Sequence, residues 1–277
     1  MASRTYLADI LDAHRRRAEA DRRPVSALEA EAAEAPPPRR FTDALAGADG
    51  LAVIAEIKRR SPSKGELDPT LDPAGLAGEY AEAGATCLSV LTDTDFFGGS
   101  ADDLVKARAA CDLPVLRKDF TVSEADVYDA RIMGADAVLL IVAGLEHDEL
   151  ERLHALAGAL GLDALVEVHD RDELERALGV GATLVGVNQR DLRTFEVDHD
   201  RATELAALMP SDTVAVAESG VRHGSDAARL AEAGYRAVLV GESLVTSKQR
   251  ATALAELRGH PVAQRGVTPA PPAATRA

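Results

Sequence analysis

The hydrophobic residues of this chain switch repeatedly between a helical and an extended spacing. Four times an alanine-rich amphipathic segment stops at a glycine and a short apolar run follows, beginning at Cys87, Ala137, Leu184 and Ala237. Such a glycine is typical of a helix C-cap, and the run after it is typical of a buried parallel strand. With four further apolar runs, the pattern predicts eight strands, at residues 51–57, 87–90, 113–116, 137–140, 162–168, 184–187, 213–217 and 237–240.

The segments between the predicted strands have the spacing of amphipathic helices. Strands that alternate regularly with helices form parallel sheets with helical crossovers, and eight such units in about 210 residues favour a closed (β/α)8 TIM barrel. An open doubly wound sheet is the alternative, but the Gly-x-Gly-x-x-Gly turn expected after its first strand is absent. The helices are predicted at 74–83, 101–110, 123–131, 147–160, 172–178, 200–208, 225–233 and 247–257.

The ends of the chain differ from this repeating part. Residues 1–47 are predicted to form an N-terminal helical extension of the barrel, because apolar side chains recur there at helical intervals until three consecutive prolines end the pattern. The barrel itself is assigned to residues 48–258. Residues 259–277 are rich in Pro and Ala with little to bury, which predicts a disordered tail.

Charged side chains stand where the predicted strands end. The first strand runs into Glu56 and Lys58, which share a face with Ile54 because strand side chains alternate. Taken singly, such charges are ordinary solvated loop residues. A TIM barrel carries its site at the carboxyl ends of its strands, so polar ends on five strands together predict one shared site. Its members are Glu56, Lys58, Lys118, Glu167, Asn188, Arg190 and Glu218.

The loops after the last two strands are predicted to bind phosphate, because they combine small residues with backbone amides at the place where TIM barrels hold phosphate. Ser61, after the first strand, can close this phosphate site, whereas Glu242 would have to turn outward. The loop residues are Ser219, Gly220, Gly241, Glu242 and Ser243. An apolar flank for a ring is expected from Phe97, Phe120, Leu139, Leu192 and Leu239, although core packing is the default role of each leucine.

Two lysines among glutamates favour proton transfer at a carbonyl group over metal binding. Such a cluster in a partly dry site can supply both a general acid and a general base near neutral pH. Lys58 and Lys118 already neutralise the glutamates, and no His or Asp completes a usual ligand set, so no metal and no cofactor are expected. His169 is interpreted as structural, because two residues beyond Glu167 the chain should be leaving the site.

Composition narrows the class of partner. The net charge of -15 opposes binding to nucleic acid or to an anionic membrane. Cys87 and Cys111 have neither CxxC nor zinc-finger spacing, which indicates a reduced cytosolic protein. No leader with a charged and then apolar pattern and no apolar run of membrane-spanning length is present. The expected protein is therefore cytoplasmic and acts on a small molecule.

Six blocks of the sequence resemble the indole-3-glycerol-phosphate synthase family, and the likeness runs from about residue 4 to residue 258. The amphipathic start also resembles the extra N-terminal helices of that family, which cover part of the barrel mouth. The blocks are Glu56-Ile-Lys58-Arg-Arg-Ser61-Pro-Ser-Lys-Gly65, Leu91-Thr-Asp-Thr-Asp-Phe-Phe97-Gly-Gly-Ser100, Leu116-Arg-Lys118-Asp-Phe120, Leu165-Val-Glu167-Val-His169, Gly186-Val-Asn188-Gln-Arg190-Asp-Leu192 and Ala217-Glu218-Ser219-Gly220.

The resemblance implies a carboxy-lyase of tryptophan biosynthesis. Its substrate would be 1-(2-carboxyphenylamino)-1-deoxyribulose 5-phosphate, a phosphosugar joined to anthranilate, and its products indole-3-glycerol phosphate, carbon dioxide and water. Lys118 matches the family's general acid, Lys58 matches the lysine that holds the carboxylate, and Glu167 matches the partner in proton removal during dehydration. Which lysine serves which step stays open. The residues that would position groups and stabilise charge are Glu56, Asn188, Arg190 and Glu218.

By the same resemblance, phosphate would bind at Ser61, Ser219, Gly220 and Gly241, with Ser243 as a further contact. Glu242 departs from the family pattern, because a small residue, often serine, is expected there. A glutamate is tolerable if the contact is a backbone amide. If the contact is a hydroxyl group, affinity for phosphate should fall.

Other activities of a barrel with this charge pattern remain open. A Schiff-base aldolase would use Lys118 covalently, and a non-catalytic barrel would bind a phosphosugar without turnover. Two further barrel enzymes are disfavoured. An orotidine-phosphate-type decarboxylase needs an alternating Asp/Lys tetrad, which the sequence around Lys118 and Asp119 does not supply, and phosphoribosylanthranilate isomerase needs a cysteine at the end of the first strand, where Glu56 stands instead. The expected state is a monomer, with association with other enzymes of the tryptophan pathway left open.

Overall fold

Eight parallel strands form a closed barrel in the computed structural model, which describes residues 5–62, 64–191 and 195–265. Each strand pairs with its neighbours in the sequence, and the last strand pairs with the first. The (β/α)8 TIM barrel predicted from the hydrophobic pattern is therefore confirmed. The strands are β1 (Ala52–Ile57), β2 (Cys87–Leu91), β3 (Val115–Lys118), β4 (Ala137–Ile141), β5 (Asp163–Val168), β6 (Leu184–Asn188), β7 (Val214–Glu218) and β8 (Ala237–Val240).

Helices connect successive strands on the outside of the barrel, within two or three residues of the predicted boundaries. Three short elements escaped prediction, namely a helix after β8, a 3-10 helix at Val142–Gly144 after β4, and an antiparallel ladder between Arg60–Ser61 and Gly65–Glu66 after β1. The helices are α1 (Tyr6–Ala20), α2 (Val25–Glu34), α3 (Phe41–Ala46), α4 (Pro73–Glu82), α5 (Ala101–Ala110), α6 (Glu124–Ile132), α7 (His147–Ala159), α8 (Arg171–Gly179), α9 (His199–Ala206), α10 (Gly224–Glu232), α11 (Glu242–Val245) and α12 (Arg250–Leu257).

Alternation along each strand separates two apolar layers. In β1, Ala52 and Ile54 point into the barrel, whereas Val53 and Ala55 point outward and pack beneath the helices. The interior is a packed core at its amino-terminal end, so that only the carboxyl ends of the strands are left for a ligand. The apolar interior residues of the strands are Ala52, Ile54, Cys87, Leu116, Ala137, Leu139, Ile141, Leu165, Leu184, Val216, Ala237 and Leu239.

Helix α3 closes the amino-terminal end of the barrel. The side chains of Phe41 and Leu45 are fully buried in the interior layer. Burying side chains of this size stabilises the fold by roughly 1.5–3 kcal/mol each. Arg236, just before β8, donates hydrogen bonds to the carbonyl oxygens of Leu45, Ala46 and Ala48 at the end of this helix. Among the described residues, α3 therefore covers this end of the barrel.

The two helices that precede α3 pack at different places. Leu28 and Ala32 of α2 pack against Tyr128 of α6, on the side of the barrel. Helix α1 instead crosses the carboxyl ends of the strands, where Arg15 forms an ion pair with Glu149 at 2.8 Å. The N-terminal segment thus contributes one helix to the wall and one to the mouth.

Residues 259–265, which the domain prediction assigned to the tail, hydrogen-bond to the barrel. Gly259 donates its N–H to the carbonyl oxygen of Leu51 at 2.9 Å, and Ala263 donates to Ala231 at 2.9 Å. Residues 266–277 lie outside the described residues. Within the described ranges, no helix combines the length and apolar character needed to cross a membrane.

Candidate active site

A cavity of about 660 Å³ opens at the carboxyl ends of the strands, beneath α1. Leu192, a predicted member, lies outside the described residues. The other seventeen predicted residues all line the cavity, so the structure brings them into one site. They are Glu56, Lys58, Ser61, Phe97, Lys118, Phe120, Leu139, Glu167, Asn188, Arg190, Glu218, Ser219, Gly220, Leu239, Gly241, Glu242 and Ser243.

The strand pattern explains how distant residues reach this cavity. Lys118 follows the interior residue Leu116 by two positions, so its side chain continues along the same face of β3. Glu167 and Glu218 stand in the same relation to interior residues of β5 and β7. The interior face of each strand therefore changes from apolar to charged at its carboxyl end.

An ammonium group held by two carboxylates forms the centre of the site. Lys118 Nζ lies 2.9 Å from Glu167 Oε2 and 3.2 Å from Glu218 Oε2. Asn188 donates from Nδ2 to Glu167 Oε1 at 3.1 Å. Both glutamates are almost completely buried. Because burial makes an unpaired charge costly, the three ionisable groups depend on one another for their charge states.

Burial and ion pairing move the three pKa values apart. Burial opposes the charge of Lys118, but Glu167, Glu218 and Glu56 more than offset it and raise its pKa, so this amine stays protonated at neutral pH. Burial alone would raise the pKa of Glu167, but the charges of Lys118 and His169 outweigh it and lower this pKa to about 2. Burial dominates at Glu218 and raises its pKa to about 7. The group that titrates near neutral pH is therefore Glu218.

A second ion pair, between Glu56 and Lys58, lines the same cavity. Lys58 Nζ donates to Glu56 Oε1, and Glu56 is buried. Two glycines leave room for the carboxylates of the site, because a Cβ atom at Gly241 would lie 2.3 Å from Glu56 Oε1 and one at Gly186 would lie 2.2 Å from Glu218 Oε1. Any larger residue at either glycine would displace a charged group of the site.

The loop after β7 holds a backbone shape that favours small residues. Ser219 and Gly220 both have positive φ angles, of 65° and 75°. Gln189 donates from Nε2 to the carbonyl oxygen of Ser219 at 2.7 Å, which fixes the loop. In the neighbouring loop, Ser243 Oγ donates to the carbonyl oxygen of Val221 at 3.2 Å. In α11 the N–H groups of Leu244 and Val245 donate to the carbonyl oxygen of Gly241, and the two residues before them, Glu242 and Ser243, line the cavity.

Glu242 lies at the edge of this region, with its side chain about one third exposed. Its Oε1 is 3.7 Å from Nζ of Lys64, which belongs to the loop after β1. Glu242 was expected to turn outward; in the structure it lines the cavity and pairs with Lys64 at its edge. Because both groups border the same cavity, the pair places one charge of each sign beside the predicted phosphate site.

An aromatic wall stands beside the charged groups. The rings of Phe97 and Phe120 lie 6.0 Å apart, tilted by 36°. Leu139 and Leu239, both buried in the barrel interior, line the same cavity. The arrangement offers an apolar surface for a planar ring next to Lys118.

Helix α1 forms the roof of the cavity, through Tyr6, Leu7 and Ile10. The ring of Tyr6 makes edge contacts with Phe96, at 5.8 Å between centroids, and with Phe195, at 5.6 Å. Prediction from the strand ends did not identify these roof residues. The apolar periodicity of the first helix indicates a buried face, and the family resemblance implies that this segment covers part of the barrel mouth, but neither signal assigns particular residues to the site.

One group in the described ranges has the composition of a metal site. His14, Asp93 and Asp119 bring three possible ligand atoms within 4.8 Å of one another. These residues already have protein partners, since His14 Nε2 lies 3.0 Å from Asp93 Oδ2 and Arg117 Nη2 lies 3.1 Å from Asp119 Oδ2. Asp93 Oδ1 also accepts the backbone N–H of Phe96 at 2.6 Å. The group therefore serves to attach α1 to the loops after β2 and β3.

Comparison with known proteins identifies close relatives. Residues 7–257 match the family described as indole-3-glycerol phosphate synthase. The chain is 53% identical over 248 residues to an indole-3-glycerol phosphate synthase of Leifsonia xyli subsp. xyli, with 90% of this chain and 94% of the relative covered. It is 50% identical over 242 residues to indole-3-glycerol phosphate synthase 1 of Streptomyces coelicolor, with coverages of 86% and 90%.

A solved structure supports the fold at much lower identity. The chain is similar to thiamine phosphate pyrophosphorylase from Pyrococcus furiosus, with a TM-score of 0.57 and 17% identity. The match covers 76% of this chain and 94% of that chain. Similarity at this level of identity concerns the barrel alone.

Proposed function

The chain belongs to the indole-3-glycerol phosphate synthase family, and we propose that Lys118, Lys58 and Glu167 carry out that family's reaction in the cavity beneath α1. The enzyme is a carboxy-lyase of tryptophan biosynthesis. It converts 1-(2-carboxyphenylamino)-1-deoxyribulose 5-phosphate to indole-3-glycerol phosphate, carbon dioxide and water. The reaction needs a new carbon–carbon bond, a decarboxylation and a dehydration, and each step makes a separate demand on the site.

Ring closure requires an acid at the sugar carbonyl. The aromatic carbon that bears the carboxylate attacks the carbonyl carbon, and the electron pair of the C=O bond moves to oxygen, which must then take a proton. Lys118 suits this step because its amine stays protonated and lies beside Glu167 and Glu218 inside the cavity. The neighbouring carboxylates also fix the direction of the ammonium group before the substrate arrives.

Decarboxylation requires that the carboxylate be held while the new bond forms. Lys58 can bind it as an ammonium, and Glu56 orients that ammonium at the end of β1. When carbon dioxide leaves, the electrons of its bond to the ring return to the ring system and restore aromaticity. Lys58 thus acts mainly by binding and orientation.

Dehydration requires an acid that protonates the departing hydroxyl group and a base that removes a proton from the carbon next to nitrogen. Glu167 is ionised, as its lowered pKa of about 2 requires, and it faces Lys118 across the cavity. It can accept the carbon-bound proton while an ammonium of the site protonates the departing oxygen. Asn188 holds the other oxygen of Glu167 and keeps the carboxylate in this orientation.

The rest of the cavity fits the two ends of the substrate. Phe97 and Phe120 offer a wall for the anthranilate ring. Ser219 and Gly220, with the first turn of α11, offer small residues and backbone N–H groups for the phosphate. Arg190 and Ser61 border the same space. We assign substrate binding to these groups and to Leu139, Leu239, Gly241 and Ser243.

The observation that carries the proposal is the contact of Lys118 with Glu167 in the cavity that also contains Lys58. A substrate analogue whose carbonyl is reduced to a secondary alcohol tests it, because the analogue can bind but cannot cyclise. Lys118→Ala should abolish most indole fluorescence from the true substrate and still bind the analogue. Lys58→Ala should weaken binding of the analogue, and normal turnover by Lys118→Ala would contradict the assignment.

The state of the enzyme in the cell follows as a further proposal. We infer that residues 48–258 act as a cytoplasmic, monomeric catalytic barrel covered by residues 1–47. The support is that the cavity takes its roof from α1 of the same chain. Analytical ultracentrifugation of the purified protein would test the monomer, and co-purification with other enzymes of the tryptophan pathway would test association.

A further inference from the structure

His169 lies between two carboxylates immediately behind the site. Its Nδ1 is 3.0 Å from Glu173 Oε2, and its backbone N–H donates to the same oxygen at 2.8 Å. On the other side of the ring, Nε2 lies 3.5 Å from Glu167 Oε1. Nε2 is buried and makes no hydrogen bond within the described part of the chain. The residue that the sequence suggested was leaving the site therefore touches one of its central groups.

The protonation state of this ring decides what it can do for Glu167. With the Nδ1 proton directed at Glu173, a neutral ring presents a lone pair at Nε2, and only the imidazolium presents an N–H there. We propose that His169 is a positioning residue for Glu167, which as an imidazolium holds Oε1 so that Oε2 faces Lys118 and the substrate. This inference rests on the role proposed above for Glu167.

The charges around the ring favour the imidazolium. Burial lowers the pKa of His169, but Glu173 on α8 and Glu167 on β5 more than offset it, so the net shift is upward. Arg201 of α9 opposes this shift from a third side. Asn188 donates to Glu167 Oε1, and His169 Nε2 lies 3.5 Å from the same oxygen, while Oε2 accepts from Lys118. When pH rises above the pKa of His169, the ring loses its positive charge and no longer supports Oε1 of Glu167.

Four variants, compared by kcat, KM and the pH profile of kcat, separate this role from a structural one. His169→Ala should lower kcat about tenfold with little change in KM, because a charge-assisted contact to the reacting carboxylate is lost. In the wild type, kcat should fall as pH rises through the pKa of His169, which gives an alkaline inflection in the profile. His169→Gln keeps an amide near the position of Nε2 and should retain most of kcat without this inflection. Glu173→Gln should move that inflection to lower pH. His154→Gln, on α7, is the matched control and should change none of these three quantities.

A direct titration completes the test. The ring signals of His169, assigned by their loss from the NMR spectrum of His169→Gln, should titrate at the pH of the kinetic inflection. Wild-type kcat and an unchanged profile in both His169 variants would overturn the inference. If His169→Ala does not fold, His169→Gln and Glu173→Gln decide it. If Glu167→Gln keeps normal turnover, both the role proposed for Glu167 and this inference are wrong. If Glu167→Gln is inactive while both His169 variants behave like wild type, only this inference is wrong.

Discussion

Lys118 Nζ lies 2.9 Å from Glu167 Oε2, although the two residues are 49 positions apart in the chain. They lie near the carboxyl ends of β3 and β5, which do not pair with each other, so the contact crosses the interior of the barrel. Only a closed barrel with both side chains on its interior face brings them together. The contact therefore joins the fold, the strand register and the proposed chemistry.

Replacing Lys118 by alanine should lower kcat at least about a hundredfold, because the proposed acid at the carbonyl oxygen is lost. The fold should survive, since Glu167 and Glu218 can take up protons when their cation is removed. Indole fluorescence measures kcat, and circular dichroism checks the fold. Lys106→Ala is the matched control, because Lys106 is exposed and pairs with Asp102 one turn away in α5.

The fold could be read from the sequence because barrel strands are buried on both faces and glycine ends the helices before them. The predicted and observed bounds of the last strand agree, 237–240. The charged residues of the site were also predictable, because Lys118, Glu167 and Glu218 each follow an interior apolar residue by two positions.

Other parts of the site depend on contacts between segments that no local pattern encodes. The roof contact of Tyr6 with Phe195 joins the first helix to the loop after β6. The raised pKa of Glu218 depends on burial by the surrounding strands, partly offset by Lys118. The position of His169 behind Glu167 follows from how the chain turns into α8, which strand alternation does not determine.

The pKa of Glu218 predicts a pH-dependent stability. Its ordinary value of 4.5 rises to about 7 in the folded protein, so the stabilisation it gives is complete below pH 4.5 and is lost as pH rises through 7. Glu218→Gln removes this dependence. Relative to the variant, wild type should lose unfolding free energy of order 3 kcal/mol between pH 4.5 and pH 8.

Urea unfolding of both proteins at pH 5 and pH 8 measures the dependence on Glu218. Glu232→Gln, at an exposed position of α10, is the control and should follow wild type at both pH values. An equal difference between wild type and Glu218→Gln at the two pH values would show that Glu218 does not titrate in this range.

Gly186 is predicted to be required for turnover because the carboxylate of Glu218 occupies the space that a side chain there would fill. A Cβ atom there would lie 2.2 Å from Glu218 Oε1, so Gly186→Ala must displace that carboxylate. A displacement of about 1 Å in a catalytic site can cost a hundredfold in rate, and we expect a loss of kcat of at least about tenfold. Gly78→Ala, in α4 with open space around it, is the control and should be neutral or slightly stabilising.

The roof helix is predicted to act on substrate binding. Tyr6→Ala removes two edge contacts between aromatic rings, each worth about 0.5–1.5 kcal/mol, and loosens α1 over the cavity. KM should rise about tenfold while kcat changes little, because no proposed proton donor or acceptor is touched. Arg16→Ala, at an exposed position of the same helix, should leave KM unchanged. A fall in kcat at constant KM would place Tyr6 in the chemistry instead.

Glu242 is predicted to weaken binding of the phosphate, because it places a negative charge at the edge of the phosphate site and pairs with Lys64 at 3.7 Å. Glu242→Gln removes the repulsion and frees the ammonium, so KM should fall severalfold at low salt with kcat unchanged. Since the pair is partly exposed, the gain should shrink as salt is added. Glu232→Gln again serves as control. A KM that rises in Glu242→Gln would mean that this carboxylate supports the site, for instance by placing Lys64 for the phosphate.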